Sequence, residues 1–182
     1  MACLIDNGYT LGCRDNVGGI KKVFIGTVVA GEDVSNYTFV ADEITATTSA
    51  IAYFTFEQEM EAGSFSQNGT YSTENGTVFF DQQLTLIFHK NTTASRNQLL
   101  VLSQANVRVI IQDQRDQFWL MGYSNGVRAT AGTMATGKAF GDLNGTTITL
   151  QGKEPQPAYR IDAATVTLLG TATPEGAGFD IN

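Results

Sequence analysis

The sequence predicts a mainly β protein, an antiparallel β-sandwich or barrel with a long β-hairpin and one flanking α-helix. Three observations lead there. Residues 51–62 and 77–90 alternate with the two-residue period of a strand. Asn-Gly pairs at Asn68, Asn75 and Asn144 supply the chemistry of tight hairpin turns. One segment, 93–105, carries a Thr/Ser cap followed by leucines at helical spacing.

Taken in order, residues 17–30, VGGIKKVFIGTVVA, predict a strand starting near Ile20, after two glycines. Short β-branched runs follow at 37–41 and 44–49. In 51–62, IAYFTFEQEMEA, one face holds Ala52, Phe54, Phe56, Gln58 and Met60, and the other Tyr53, Thr55, Glu57, Glu59 and Glu61. In 77–90 the faces are Val78, Phe80, Gln82, Leu84, Leu86 and Phe88 against Thr77, Phe79, Asp81, Gln83, Thr85, Ile87 and His89. These two stretches are expected to form the long hairpin. The Gly/Ser/Asn-rich segment 63–76 between them is expected to be flexible, or to add a small hairpin at Asn68-Gly69 or Asn75-Gly76. After the helix, RVIIQ and QFWLMGY predict a hairpin around Asp113–Asp116. Residues 126–141 are rich in Gly and Ala and have no assignable period, TTITLQG reads as a strand, and AATVTLLG (163–170) as a last strand. With no linker and no internal repeat, the chain is expected to be one domain, 1–182. An N-terminal arm of about 1–16, the 63–76 loop and a tail at 171–182 are expected to be flexible or ordered by assembly.

Length and composition narrow the function. A chain of 182 residues can bury a sizeable core. No run of eighteen apolar residues occurs, so no membrane helix is expected, and the first residues lack the basic start and apolar stretch of an export signal. A net charge of −7, with basic residues scattered, argues against a phosphate-gripping surface. Cys3 and Cys13 match no metal spacing and are expected to be reduced thiols. Of five Asn-x-Thr sites, at Asn36, Asn68, Asn75, Asn91 and Asn144, three are Asn-Gly-Thr, which turn chemistry alone accounts for.

Catalytic patterns are sparse. Two of Glu57, Glu59 and Glu61 could serve as a glycosidase pair, but E-x-E-x-E is not the jelly-roll glycosidase spacing, and Trp119 is the one tryptophan. The single histidine, His89, ends an alternating strand beside Lys90, and neither G-x-S-x-G nor a P-loop is present. A straight strand does not converge its carboxylates on a calcium ion. The expectation is no enzyme, no cofactor and no metal.

The glutamates themselves remain to be explained. On a strand, Glu57, Glu59 and Glu61 would stand about 6.6–7 Å apart, a ladder that repels itself. It would find a use as one sector of a ring in which hairpins from identical subunits close a barrel. The carboxylates would face the lumen, and DNA moving through would not adhere to the wall.

The stretch Leu11-Gly12-Cys13-Arg14-Asp15-Asn16-Val17-Gly18-Gly19-Ile20-Lys21-Lys22-Val23 resembles the start of small structural proteins of tailed bacteriophages. Gly141-Asp142-Leu143-Asn144-Gly145-Thr146-Thr147-Ile148-Thr149-Leu150, followed by Lys153-Glu154-Pro155, resembles their C-terminal portion, with Thr146 where that family carries a tyrosine. A long hairpin followed by one helix is similar in order to the phage tail tube proteins. The resemblance implies hexameric rings stacked into a hollow tube that carries the genome, with Glu57, Glu59, Glu61 and Asp81 facing the lumen. It implies the 63–76 loop and the chain ends as bridges between rings. Its partners would be other copies and tail sheath, baseplate or tail terminator proteins. DNA would pass without specific binding, with no membrane involved, and the site of action would be the virion tail after assembly in the host cytoplasm. Other readings are a head decoration, tail terminator or baseplate protein, or a carbohydrate-binding sandwich.

Overall fold

A computed structural model describes residues 8–12, 14 and 16–169. Cys3, Cys13, most of the N-terminal arm and the 171–182 tail lie outside the described residues. The chain runs β1 (Ile20–Thr27), a 3-10 turn (Val34–Asn36), β2 (Tyr37–Val40), β3 (Glu43–Thr47), β4 (Tyr53–Glu57), β5 (Ser64–Ser72), β6 (Thr77–His89) and α1 (Thr93–Gln104). It continues with β7 (Val107–Asp113), β8 (Phe118–Met121), β9 (Arg128–Ala135), β10 (Gly145–Glu154), β11 (Tyr159–Ile161) and α2 (Ala163–Leu168). The protein is mainly β, as its alternation predicts, with its strands in two sheets.

The larger sheet has the order β2-β3-β11-β8-β7-β1-β4 and the smaller β5-β6-β10-β9. Between them lies a core of Val23, Ile25, Leu84, Leu86, Val109, Ile111, Met121, Ile148 and Leu150. α1 begins at the Thr92 cap, whose hydroxyl accepts the Ser95 N–H at 3.1 Å, and sends Leu99 and Leu102 into this core. A second core, with Phe24, Tyr37, Ile44, Tyr53, Ile110 and Leu120, fills the opposite face of the larger sheet. β7 is therefore buried on both sides, which is why RVIIQ reads as a continuous apolar run. Three strands separate β2 from β7 in the sheet order, so a flat sheet would hold them about 19 Å apart. The Tyr37 hydroxyl nonetheless accepts from Arg108 of β7 at 3.1 Å, so the sheet curls over its own face.

Three elements differ from their sequence readings. The first is 51–62, which is not one strand. β4 stops at Glu57 and pairs with β1, through Lys22↔Glu57 to Gly26↔Tyr53, in the larger sheet. Gln58 is the crossing point. Its N–H donates to Lys21 O at 3.5 Å in the larger sheet, while its side-chain Oε1 accepts from Ile87 N at 3.1 Å in the smaller. The chain then turns, with Ala62 N–H donating to Glu59 O and Glu61 at φ 63°, a left-handed conformation no strand contains. Both faces of β4 meet a core, Tyr53 fully buried in the second and Phe56 packed on the first, while Phe54 is 41% exposed.

The second is 63–76, where β5 pairs with β6 in unbroken register from Ser64↔Thr85 to Ser72↔Thr77. Its Ser, Gln, Asn and Thr look like loop composition because most of this strand is solvated on both faces. The turn falls at 73–76, with Gly76 at φ 62°, so Asn75-Gly76 and not Asn68-Gly69 closes the hairpin. The third is AATVTLLG, whose β-branched residues suggest a strand but which forms the short helix α2. Asp162 stands at its start, and Thr165, Val166 and Leu169, at helical spacing, are buried, the last two in the second core. Residues 128–135, which show no usable period, become β9 because every second residue must only clear a solvated edge.

Candidate functional site

The expected acidic ladder does not exist as a ladder. Glu57 ends β4 and pairs with Lys22 at 3.0 Å, both side chains exposed. Glu59 precedes a turn and Glu61 lies within it. Asp81 alone stands within the smaller sheet, where its two carboxylate oxygens accept from Gln151 Nε2 at 2.7 and 2.8 Å. The four carboxylates are thus not brought onto one face. Among the described residues no group of three or more His, Cys, Asp and Glu is close enough to share a metal ion. His89 is exposed at the end of β6, opposite Gly145.

What the fold builds instead is the outward face of the four-stranded sheet. Leu84, Leu86, Ile148 and Leu150 point into the core, so their neighbours point away from it. Strand register sets these in rows: Ser64–Thr85–Thr149, Ser66–Gln83–Gln151 and Asn68–Asp81–Lys153. The face is a field of hydroxyls and amides with few charges, namely Asp81, Lys153 and Arg128, the last opposite Gln151. Lys153 Nζ also lies 5.5 Å from the centre of the Phe79 ring.

This sheet has two free edges. Among the described residues β5 pairs only with β6, and β9 only with β10. They are of similar length, nine and eight residues. All three pairings are antiparallel, so β5 and β9 run in opposite directions. Among the described residues no strand pairs with the β5 edge, an arrangement proteins normally avoid unless something pairs with it.

A buried ionic cluster lies elsewhere, on the second core. Arg108 donates to Glu32 at 3.0 Å and to the Tyr37 hydroxyl at 3.1 Å. Glu32 also accepts from Ala50 N at 2.6 Å and Ser49 Oγ at 3.0 Å. Burial pushes the Glu32 carboxyl up, but the hydrogen bonds from Ala50 and its other partners, with the Arg108 charge, outweigh it and hold it below its usual range. Burial pushes the Tyr53 phenol nearby well above its own. The cluster pins the 28–36 loop and the β3–β4 connection to β7, and is closed to solvent. Sequence reasoning offers no signal for it, since Glu32 and Arg108 are 76 positions apart.

Two grooves open on the surface. One, of about 420 Å³, runs between α1 and β9 past Leu99, Leu100, Ala129 and Gly132. The other, of about 340 Å³, opens beside Ile111, Phe65, Asp113 and Trp119, whose indole N–H points to Asp113 at 3.4 Å. The first is lined by Arg96 and Ser103 as well, and the second by Ser64 beside Asp113. Among the described residues no helix is long and apolar enough to cross a membrane. Compared with protein-family profiles, with curated proteins and with solved structures, the chain matches none.

Proposed function

We propose that the protein is a non-enzymatic virion subunit that forms stacked homo-oligomeric rings of a phage tail tube, with the four-stranded sheet as the wall of the channel. The observation that carries this reading is a sheet with a solvated polar face and two oppositely directed edges that are unpaired among the described residues. Rotating a copy about an axis along the strands brings its β9 against β5 of its neighbour in antiparallel sense, so the alternation continues around the ring. Closure of this kind removes both edges. In the hexamer that the family resemblance implies, six four-stranded sheets would make a barrel with a channel of roughly 40 Å, room for a DNA duplex.

On this reading the wall is chiefly neutral. Its Ser, Thr, Asn and Gln side chains outnumber its two cations, Lys153 and Arg128, which are too few to grip a passing duplex. Asp81 stands on the wall. Glu57, Glu59 and Glu61 stand at the rim, where β4 hands over to β5, and repel phosphates at the mouth. Tail sheath, baseplate or terminator proteins would meet the outer surface and the ends. Negative-stain electron microscopy of the purified protein tests the proposal: rings or tubes with a central channel are expected. A protein that stays monomeric at high concentration and binds a glycan would instead be a carbohydrate-binding sandwich.

A further inference from the structure

We infer that copies of this chain join end to end through the two poles of the four-stranded sheet, the β5–β6 turn of one copy seating on the 136–144 loop of the next. The inference rests on the stacked-ring reading and names the chemistry of its axial contact.

Register places the two poles. Ser72↔Thr77 closes the hairpin at one end, and Gly145↔His89 marks the other. The thirteen residues of β6 span the distance between them, about 40 Å.

At the first pole the hairpin overshoots its own core. Tyr71 and Val78 are cross-strand partners on the face that carries Phe65 and Leu84 further along. Leu84 is fully buried, whereas Tyr71 is 69% and Val78 53% exposed. The Tyr71 ring leans back over Gly69 of its own strand, and both side chains stay largely open to solvent. Glu74, in the adjoining turn, is exposed and has no ion-pair partner among the described residues.

At the second pole an ordered loop displays apolar side chains. The Asp142 carboxylate accepts the N–H groups of Lys138 and Ala139 at 2.8 Å each, and its own N–H donates to Ala139 O at 3.1 Å. Gly137 takes φ +70°, and a Cβ there would lie 2.6 Å from Asp142 Cβ. Asn91 fastens the base of the loop through Ala135 O at 2.7 Å and Asn144 at 2.9 Å. This built turn holds Phe140 fully exposed, with Leu143 also exposed. Lys138 is exposed and has no ion-pair partner among the described residues.

The poles complement each other. Each offers two exposed apolar side chains, and one adds a carboxylate where the other adds an ammonium. They are different surfaces at opposite ends of one sheet, so their contact is heterologous and repeats as an open stack, not a closed pair. The partner is therefore a second copy, which brings the other pole with it.

The test uses the full chain and counts single rings against stacked rings by electron microscopy, with sedimentation as a second readout. F140S, E74K and K138E should each leave rings intact and lower the stacked fraction roughly tenfold. Combining E74K with K138E should restore stacking to near the parent level, while F140S stays unstacked in any charge background. Parent-like stacking in F140S and both single reversals, or a double reversal that stacks no better than the singles, would overturn the axial contact and leave the ring reading standing. A parent protein that forms neither rings nor stacks would remove both.

Discussion

The Arg108 guanidinium lies 3.0 Å from the Glu32 carboxylate with both side chains only 2% exposed, which makes this ion pair the internal clamp of the larger sheet. Glu32 comes from the loop after β1 and receives Ser49 and Ala50 from the link into β4, so one carboxylate ties two distant segments to β7. Removing one member strands the other in a closed apolar site. Glu32→Ala should therefore cost about 3–5 kcal/mol in urea unfolding. Arg108→Met with Glu32→Gln, which leaves no buried charge, should recover a large part of that loss. A Glu32→Ala protein as stable as the parent would mean that the pair carries no clamp.

The same carboxyl sets a pH dependence. Its folded pKa lies below the ordinary 4.5, so its stabilisation is complete above that value and disappears as pH falls through the lower folded pKa. The parent's resistance to chemical denaturation should weaken as pH falls below about 4.5. Glu32→Gln should flatten the part of that slope owed to this group, leaving the parent and variant curves to converge in acid.

Gln58 decides where the hairpin is. Its side chain accepts the Ile87 N–H at 3.1 Å and so joins the end of β4 to the smaller sheet. Gln58→Leu leaves that backbone N–H without its partner and should cost about 1–3 kcal/mol. Ile87 should then exchange its amide hydrogen faster than its neighbours in β6, a local effect that general destabilisation would not give.

The elements legible in the sequence were those whose two environments differ. β6 alternates because Leu84 and Leu86 face a core while Gln83 and Thr85 face solvent. α1 announces itself through Thr92 and Ser95, and the β7–β8 hairpin through its apolar runs around Asp113–Asp116. β4 misled because Tyr53 and Phe54 both look buried in sequence, and which one faces which core depends on a sheet order that no local window contains. β5 and β9 were hidden because a solvated edge strand imposes no apolar period. The carboxylate ladder failed for a related reason: continuing alternation past Glu57 ignored a glutamine able to satisfy two sheets at once. The free edges of the smaller sheet, now the centre of the functional proposal, needed the strand order and could not be read from any motif.

Leu86 tests the inter-sheet core. It is fully buried between the sheets, so Leu86→Ala should cost about 2–5 kcal/mol in equilibrium unfolding. Because it lies on the inner face of β6, Thr85→Ala on the half-buried outer face should cost far less, and equal losses at the two positions would place the core on the wrong face.

The central claim is that β5 and β9 find each other across copies. Hydrogen–deuterium exchange, compared between dilute and assembled protein, reads those edges directly. The account predicts that amides in both Ser64–Ser72 and Arg128–Ala135 gain protection together on assembly, while those of β6 and β10, already paired, change little. Assembly that leaves both edges exchanging as in the dilute protein would contradict it.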